Sequence, residues 1–163
     1  MKIERVLVPL DGSLLAEGAI QTAVEVARDG TAAVVLLRAA EAHTLPGADP
    51  TDAQVAVVRE AEEYLAAVAA RLAEQGVKGI ETSVWYGPPA TAIIEATRLQ
   101  KVDLIVMTTH GRSGLGRLIL GSVAESVLRG TTTPILLLRA PGAPVEAPKA
   151  AGQARPGREV TRV

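Results

Sequence analysis

The chain has 163 residues and a mass of 16.9 kDa, 48% of its residues are apolar, and its formal charge is -1, which suits one compact domain and excludes disordered and fibrous classes. Charged residues at 21%, a pI near 6.1 and 2% aromatics leave no bulk positive field and few rings for stacking bases, so nucleic acid is not an expected partner. With no cysteine and two histidines, disulfides, thiolate metal sites and cysteine nucleophiles are excluded, and a histidine metal centre is disfavoured.

The opening MKIERVLVPLDGS contains the first of five short apolar runs, RVLVPL, which has strand length and is too short for a signal-peptide core. Asp11, Gly12 and Ser13 then form a turn in which Ser13 caps a helix, and Ala16, Ile20, Ala23 and Ala27 mark its apolar stripe up to a stop at Gly30. AVVLLR is the second run, followed by a long connection from Ala40 to Pro50. Thr51 with Gln54 reads as a capping box opening a longer helix, with Val55, Val58, Leu65, Val68 and Leu72 on its apolar face and Gly76 as its stop. The third run, IETSVWY, alternates Ile80, Thr82, Val84 and Tyr86 against Glu81, Ser83 and Trp85, the pattern of an edge strand with one wetter face.

Pro88 and Pro89 suit the first turn of a third helix, and DLIVM is the fourth run. Ser122 with Glu125 reads as a second capping box, for a helix that ends at Gly130. The last run, PILLL, is continuously apolar and does not suit a solvent edge. Beyond it, residues 140 to 163 hold four of the ten prolines and three glycines without apolar periodicity, and are expected to form a disordered tail. No stretch reaches the roughly 18 apolar residues needed to span a bilayer, so no membrane partner and a cytoplasmic location are expected.

Strict alternation of strands and helices predicts a single α/β domain over residues 1 to 139, a doubly wound five-stranded parallel sheet with helices on both faces. In such sheets ligands bind beyond the carboxyl ends of the strands, where the winding direction reverses. After the first strand, Asp11 stands at the height where acidic residues meet ribose hydroxyls in nucleotide folds. After the fourth, Gly111, Gly114, Gly116 and Gly121 precede a helix start, and glycine N–H groups together with that helix N-terminus suit a phosphate. Arg112 and Arg117 add countercharge, while His110 reads as an ordinary loop residue. GRLILGS has P-loop glycine spacing but carries Ser122 where the lysine belongs, DGSLLAEG lacks the dinucleotide fingerprint, and no Gly-x-Ser-x-Gly elbow occurs.

These features resemble the universal stress proteins, whose nucleotide-binding members carry Gly-x2-Gly-x9-Gly-Ser/Thr after the fourth strand. Gly111, nine residues and then Gly121-Ser122 match the second and third elements, Thr108 occupies the first glycine position, and VPLDGS is similar to the family's first strand and turn. The resemblance implies strand order 3-2-1-4-5 and bound ATP, with ribose near Asp11, adenine near Ala39 and phosphates on the Gly111 to Ser122 loop. It further implies that Pro9, Met107, Thr108 and Val123 line the site, and a Mg2+ ion would sit near Asp11. Family members commonly dimerise through their last strand, and the apolar edge of Ile135 to Leu138 independently favours a homodimer. Three functions stay open: a nucleotide-binding stress or signalling module with at most slow ATP hydrolysis, a nucleotide-hydrolysing or adenylating enzyme, and an interaction protein without ligand.

Overall fold

The computed structural model describes residues 2–28, 32–42, 50–109 and 121–139. Strands and helices alternate throughout: β1 (Arg5–Leu10), α1 (Leu14–Val26), β2 (Ala33–Ala40), α2 (Pro50–Glu74), β3 (Ile80–Tyr86), α3 (Pro89–Leu99), β4 (Leu104–Thr108), α4 (Ser122–Gly130) and β5 (Ile135–Leu138). All five strands are parallel, in the order β3-β2-β1-β4-β5. The winding direction therefore reverses between β1 and β4.

Uniformly apolar strands bury both faces, and successive residues serve opposite layers. Val6, Val8, Leu10, Val34, Leu36 and Val106 pack with α1 and α2, whose Ala16, Ala19, Ile20, Leu65 and Val68 complete that half of the core. Leu7, Val35, Leu37, Ile105 and Met107 face the other way, onto Ile93 and Ala96 of α3 and Ala124 and Val127 of α4. Truncating one fully buried leucine of this set, such as Leu36 or Leu65, to alanine would cost about 2–5 kcal/mol. The start of β1 is pinned to that of β4 by Asp103, whose Oδ2 accepts the N–H groups of Glu4 at 2.8 Å and Arg5 at 3.0 Å.

IETSVWY is an edge strand, as its alternation implies. PILLL also lies at an edge of the sheet, with Leu136 exposed, and nothing among the described residues covers that side. Several local expectations need correction. α2 begins at Pro50, so Thr51 lies inside the helix instead of capping it. Val55 is exposed, because the buried stripe of α2 begins only at Ala61. Gly130 is the last residue of α4, where a Cβ would stand 2.3 Å from Ile94 Cδ1, so its smallness serves the α3–α4 contact and not a left-handed stop. Gly76 does take a positive φ of 81°, and its N–H bonds to Ala73 O after α2. Gly30 and the tail, 140 to 163, lie outside the described residues.

Candidate functional site

The site is built from the carboxyl ends of β1, β2 and β4. At the exit of β1, Asp11 Oδ1 accepts the N–H of Ser13 at 3.0 Å and its hydroxyl at 2.6 Å. The Ser13 hydroxyl oxygen in turn accepts the N–H of Ala16 at 3.2 Å, capping α1 as expected. Gly12 has φ +86°, a conformation that L side chains rarely adopt, so the tight turn that presents Asp11 depends on glycine there.

At the exit of β4 the chain is drawn back on itself. Thr109 donates to Leu138 O at 2.8 Å, and Gly121 donates to Thr109 O at 2.8 Å, which sets the start of α4 against the end of its own strand. The N-cap of α4 is Gly121, not Ser122, and among the described residues no side chain caps this helix. The expected Ser122–Glu125 capping box is therefore absent. Ser122 is already helical, and Glu125 pairs one turn onward with Arg129 at 2.9 Å. Thr108 sits in β4 opposite Leu138, buried, and among the described residues only Lys101 combines a side chain with a positive φ. A β-branched residue thus occupies the family's glycine position in ordinary strand conformation, without backbone strain.

Between these ends lies a cleft of about 530 Å³, within the range of roughly 300–1,000 Å³ usual for small-molecule sites. Pro9, Asp11, Ala39, Met107, Thr108, Gly121, Ser122 and Val123 all line it. The other two expected residues, Gly111 and Arg112, lie outside the described residues, as do His110, Gly114, Gly116 and Arg117. Among the described residues no cluster of three or more His, Cys, Asp or Glu suits a metal ion. Nor is any helix described long and apolar enough to cross a membrane.

Sequence reasoning missed part of the lining. Pro89 and Ile93 of α3 reach the cleft from one layer, and Val57 and Glu60 of α2 from the other. The main omission is Arg38, the single charge in the run AVVLLRAA, which was absorbed into a strand. Its guanidinium carbon lies 4.8 Å from the centroid of the Tyr64 ring, and its Nη2 pairs with Glu60 Oε1 at 2.9 Å. The Tyr64 hydroxyl donates to Glu17 Oε1 at 2.9 Å, and Glu17 also pairs with Arg71. Burial, reinforced by that hydrogen bond to Glu17, pushes the Tyr64 phenol well above its usual value, so it stays protonated.

The sequence profile of the universal stress protein family matches residues 2–139. Universal stress protein MJ0531 of Methanocaldococcus jannaschii is 33% identical over 143 residues, which cover 85% of this chain and 83% of that protein. Among solved structures, universal stress protein UspA from Lactobacillus plantarum superposes with a TM-score of 0.72 at 24% identity, over 85% of this chain and 99% of that one. A universal stress protein crystallised in complex with cAMP has a TM-score of 0.59 at 25% identity, over 86% and 99% of the two chains.

Proposed function

The chain belongs to the universal stress protein family, and on that premise we propose that its cleft binds an adenine nucleotide, ATP foremost. The observation that carries this reading is the meeting, in one cleft at the β1–β4 reversal, of Asp11 with the uncapped start of α4. An N-cap without a side chain leaves the first-turn N–H groups for an outside anion, and the helix dipole adds about half a positive charge there. Asp11 takes the ribose hydroxyls, Pro9 and Met107 give apolar contact, and the base lies near Ala39. Phosphates rest on Gly121, Ser122, Val123 and the preceding segment with Gly111 and Arg112. The cAMP bound by the 25% identical relative supports an adenine ligand for the cleft.

Mg2+ would enter with the phosphates. Mg2+ keeps several waters and is commonly bound through one or two carboxylates plus substrate phosphates, which Asp11 alone can satisfy. The protein acts in this reading as a cytoplasmic stress-response or signalling module in which occupancy, not turnover, carries the signal. Any hydrolysis is slow, well below the roughly 1–100 per second of kinases.

The apolar edge at β5, uncovered among the described residues, is proposed to pair with its copy across a two-fold axis, giving a homodimer. Sedimentation as a monomer at micromolar concentration would remove that part. For the ligand, the decisive measurement is the melting temperature with ATP, AMP or cAMP, with and without Mg2+. A nucleotide at 100 times its dissociation constant adds about 2.7 kcal/mol of stability. The absence of a shift with every nucleotide would overturn the reading in favour of a ligand-free interaction protein.

A further inference from the structure

Building on the adenine-nucleotide reading of the cleft, we propose that Arg38 forms a second anion subsite on the ribose side, favouring nucleotides that carry a phosphate on the ribose O2′ or O3′. Arg38 leaves β2 on the same layer as Val34 and Leu36, toward α1 and α2. Its guanidinium is held between the Tyr64 ring and the turn after β1, where a Cβ built on Gly12 would meet Nη1 at 3.4 Å. That turn presents Asp11, so the guanidinium and the carboxylate both line one cleft.

The two partners of the Arg38–Glu60 pair differ sharply in freedom. The arginine side chain is 14% exposed and the glutamate 70%. An ion pair with so exposed a partner contributes little to stability, and Glu60 gives way at small cost. The planar fork of Arg38 then meets a phosphate bidentately, a stronger and better matched interaction than one carboxylate oxygen. Glu60 thus stands where the ligand anion belongs.

Topology separates this subsite from the first. β1 lies between β4 and β2, so the open start of α4 is on one side of Asp11 and Arg38 on the other. A ribose bound at Asp11 with its 5′ substituent directed to α4 turns the edge bearing O2′ and O3′ toward β2. In dinucleotide folds an acidic residue takes a free ribose hydroxyl, and an arginine nearby accommodates the ribose when it carries a phosphate. Asp11, Glu41 and Glu60 also line the cleft, so a general attraction for anions is not expected there. Only a group that reaches the guanidinium gains.

The test is calorimetric titration of the full chain with 5′-AMP, ADP, adenosine 2′,5′-bisphosphate and adenosine 3′,5′-bisphosphate. The last three are isomers that differ in where and how the second phosphate is attached. At least one ribose-phosphorylated isomer is expected to bind about tenfold more tightly than 5′-AMP, as a new bidentate charge-assisted contact implies. Arg38→Gln should erase that gain while ADP keeps its own advantage over 5′-AMP, Arg38→Lys should keep part of it, and Glu60→Gln should enlarge it. A wild-type chain that binds 5′-AMP but shows no gain with either isomer would sink the subsite alone. Equal losses for ADP and the ribose bisphosphates in Arg38→Gln would do the same, since they signal a diffuse field. Failure of 5′-AMP and ADP to bind at all would remove the nucleotide reading and the subsite with it. Melting curves establish that Arg38→Gln folds; if it does not, Arg38→Lys and Glu60→Gln decide.

Discussion

Two helices start at the same end of the sheet and finish their first turns in opposite ways. The start of α1 satisfies itself: Ser13 caps Ala16, Asp11 holds Ser13, and Glu17 in the first turn is tied across to Tyr64 and Arg71 of α2. The start of α4 has a glycine N-cap and, among the described residues, no side-chain cap, and its first-turn acid, Glu125, pairs with Arg129 in its own helix. A helix that caps itself gains stability and has fewer donors to offer. One that leaves the cap open gives up a few tenths of a kcal/mol against Ser or Asp and keeps its N–H groups for an anion.

The strongest challenge to that contrast is to close the open helix. Gly121 has φ −58° and ψ 146°, which any residue adopts, so Gly121→Asp should fold, cap α4 and occupy the phosphate position with its own carboxylate. Its nucleotide affinity is expected to fall about tenfold or more, measured by calorimetry, while the ligand-free melting temperature holds or rises slightly. Asp11→Ala comes next. It removes the ribose acceptor and the brace on Ser13, and both affinity and ligand-free stability should drop, in contrast to Gly121→Asp.

Two serines then separate cap from non-cap. Ser13→Ala should cost about 1 kcal/mol, or roughly 2–4 °C in melting temperature. Ser122→Ala, one residue inside α4, should stay within about 0.5 kcal/mol in the absence of ligand. Equal losses at the two serines would erase the difference between the helices.

The smallest expected effect concerns the brace on α1. Because the phenol of Tyr64 is raised in the folded state, its contribution is fully present below its ordinary value of 10.0 and is lost as pH rises above it, when the unfolded chain ionises first. The stability advantage of the wild type over Tyr64→Phe should therefore narrow above pH 10, as read from denaturant melts at pH 8 and 11. A constant difference would show that neither burial nor the hydrogen bond to Glu17 raises the Tyr64 phenol in the folded state.

Much of this was legible in the residues. The five runs fall on the five strands, and those of β1, β2 and β4 are largely apolar because parallel strands covered on both faces leave that signature. Asp11, Gly12 and Ser13 could be read as turn and cap because the hydrogen bonds that shape the turn are local, spanning two or three residues. Ser122 and Glu125 show where that logic fails. The same spacing that makes a capping box also fits a helix that starts one residue earlier, and the hydrogen bond from Gly121 to Thr109 decides between them. Val55 failed for a similar reason, since periodicity marks an apolar face but not where along α2 the sheet begins to cover it.

The sequence by itself determined the order of elements, the two-layer covering of the sheet and the residues at the strand ends, because these depend on patterns of a few residues. Only the tertiary structure decided that Val57, Pro89 and Ile93 share a cleft with Asp11, and that Arg38 stands against the β1 turn with Glu60 across from it. Residues far apart in the chain meet there through the crossovers of the fold. The physical reason is that a parallel sheet gathers the carboxyl ends of distant strands on one side, and no local pattern records which side chains meet across that gap.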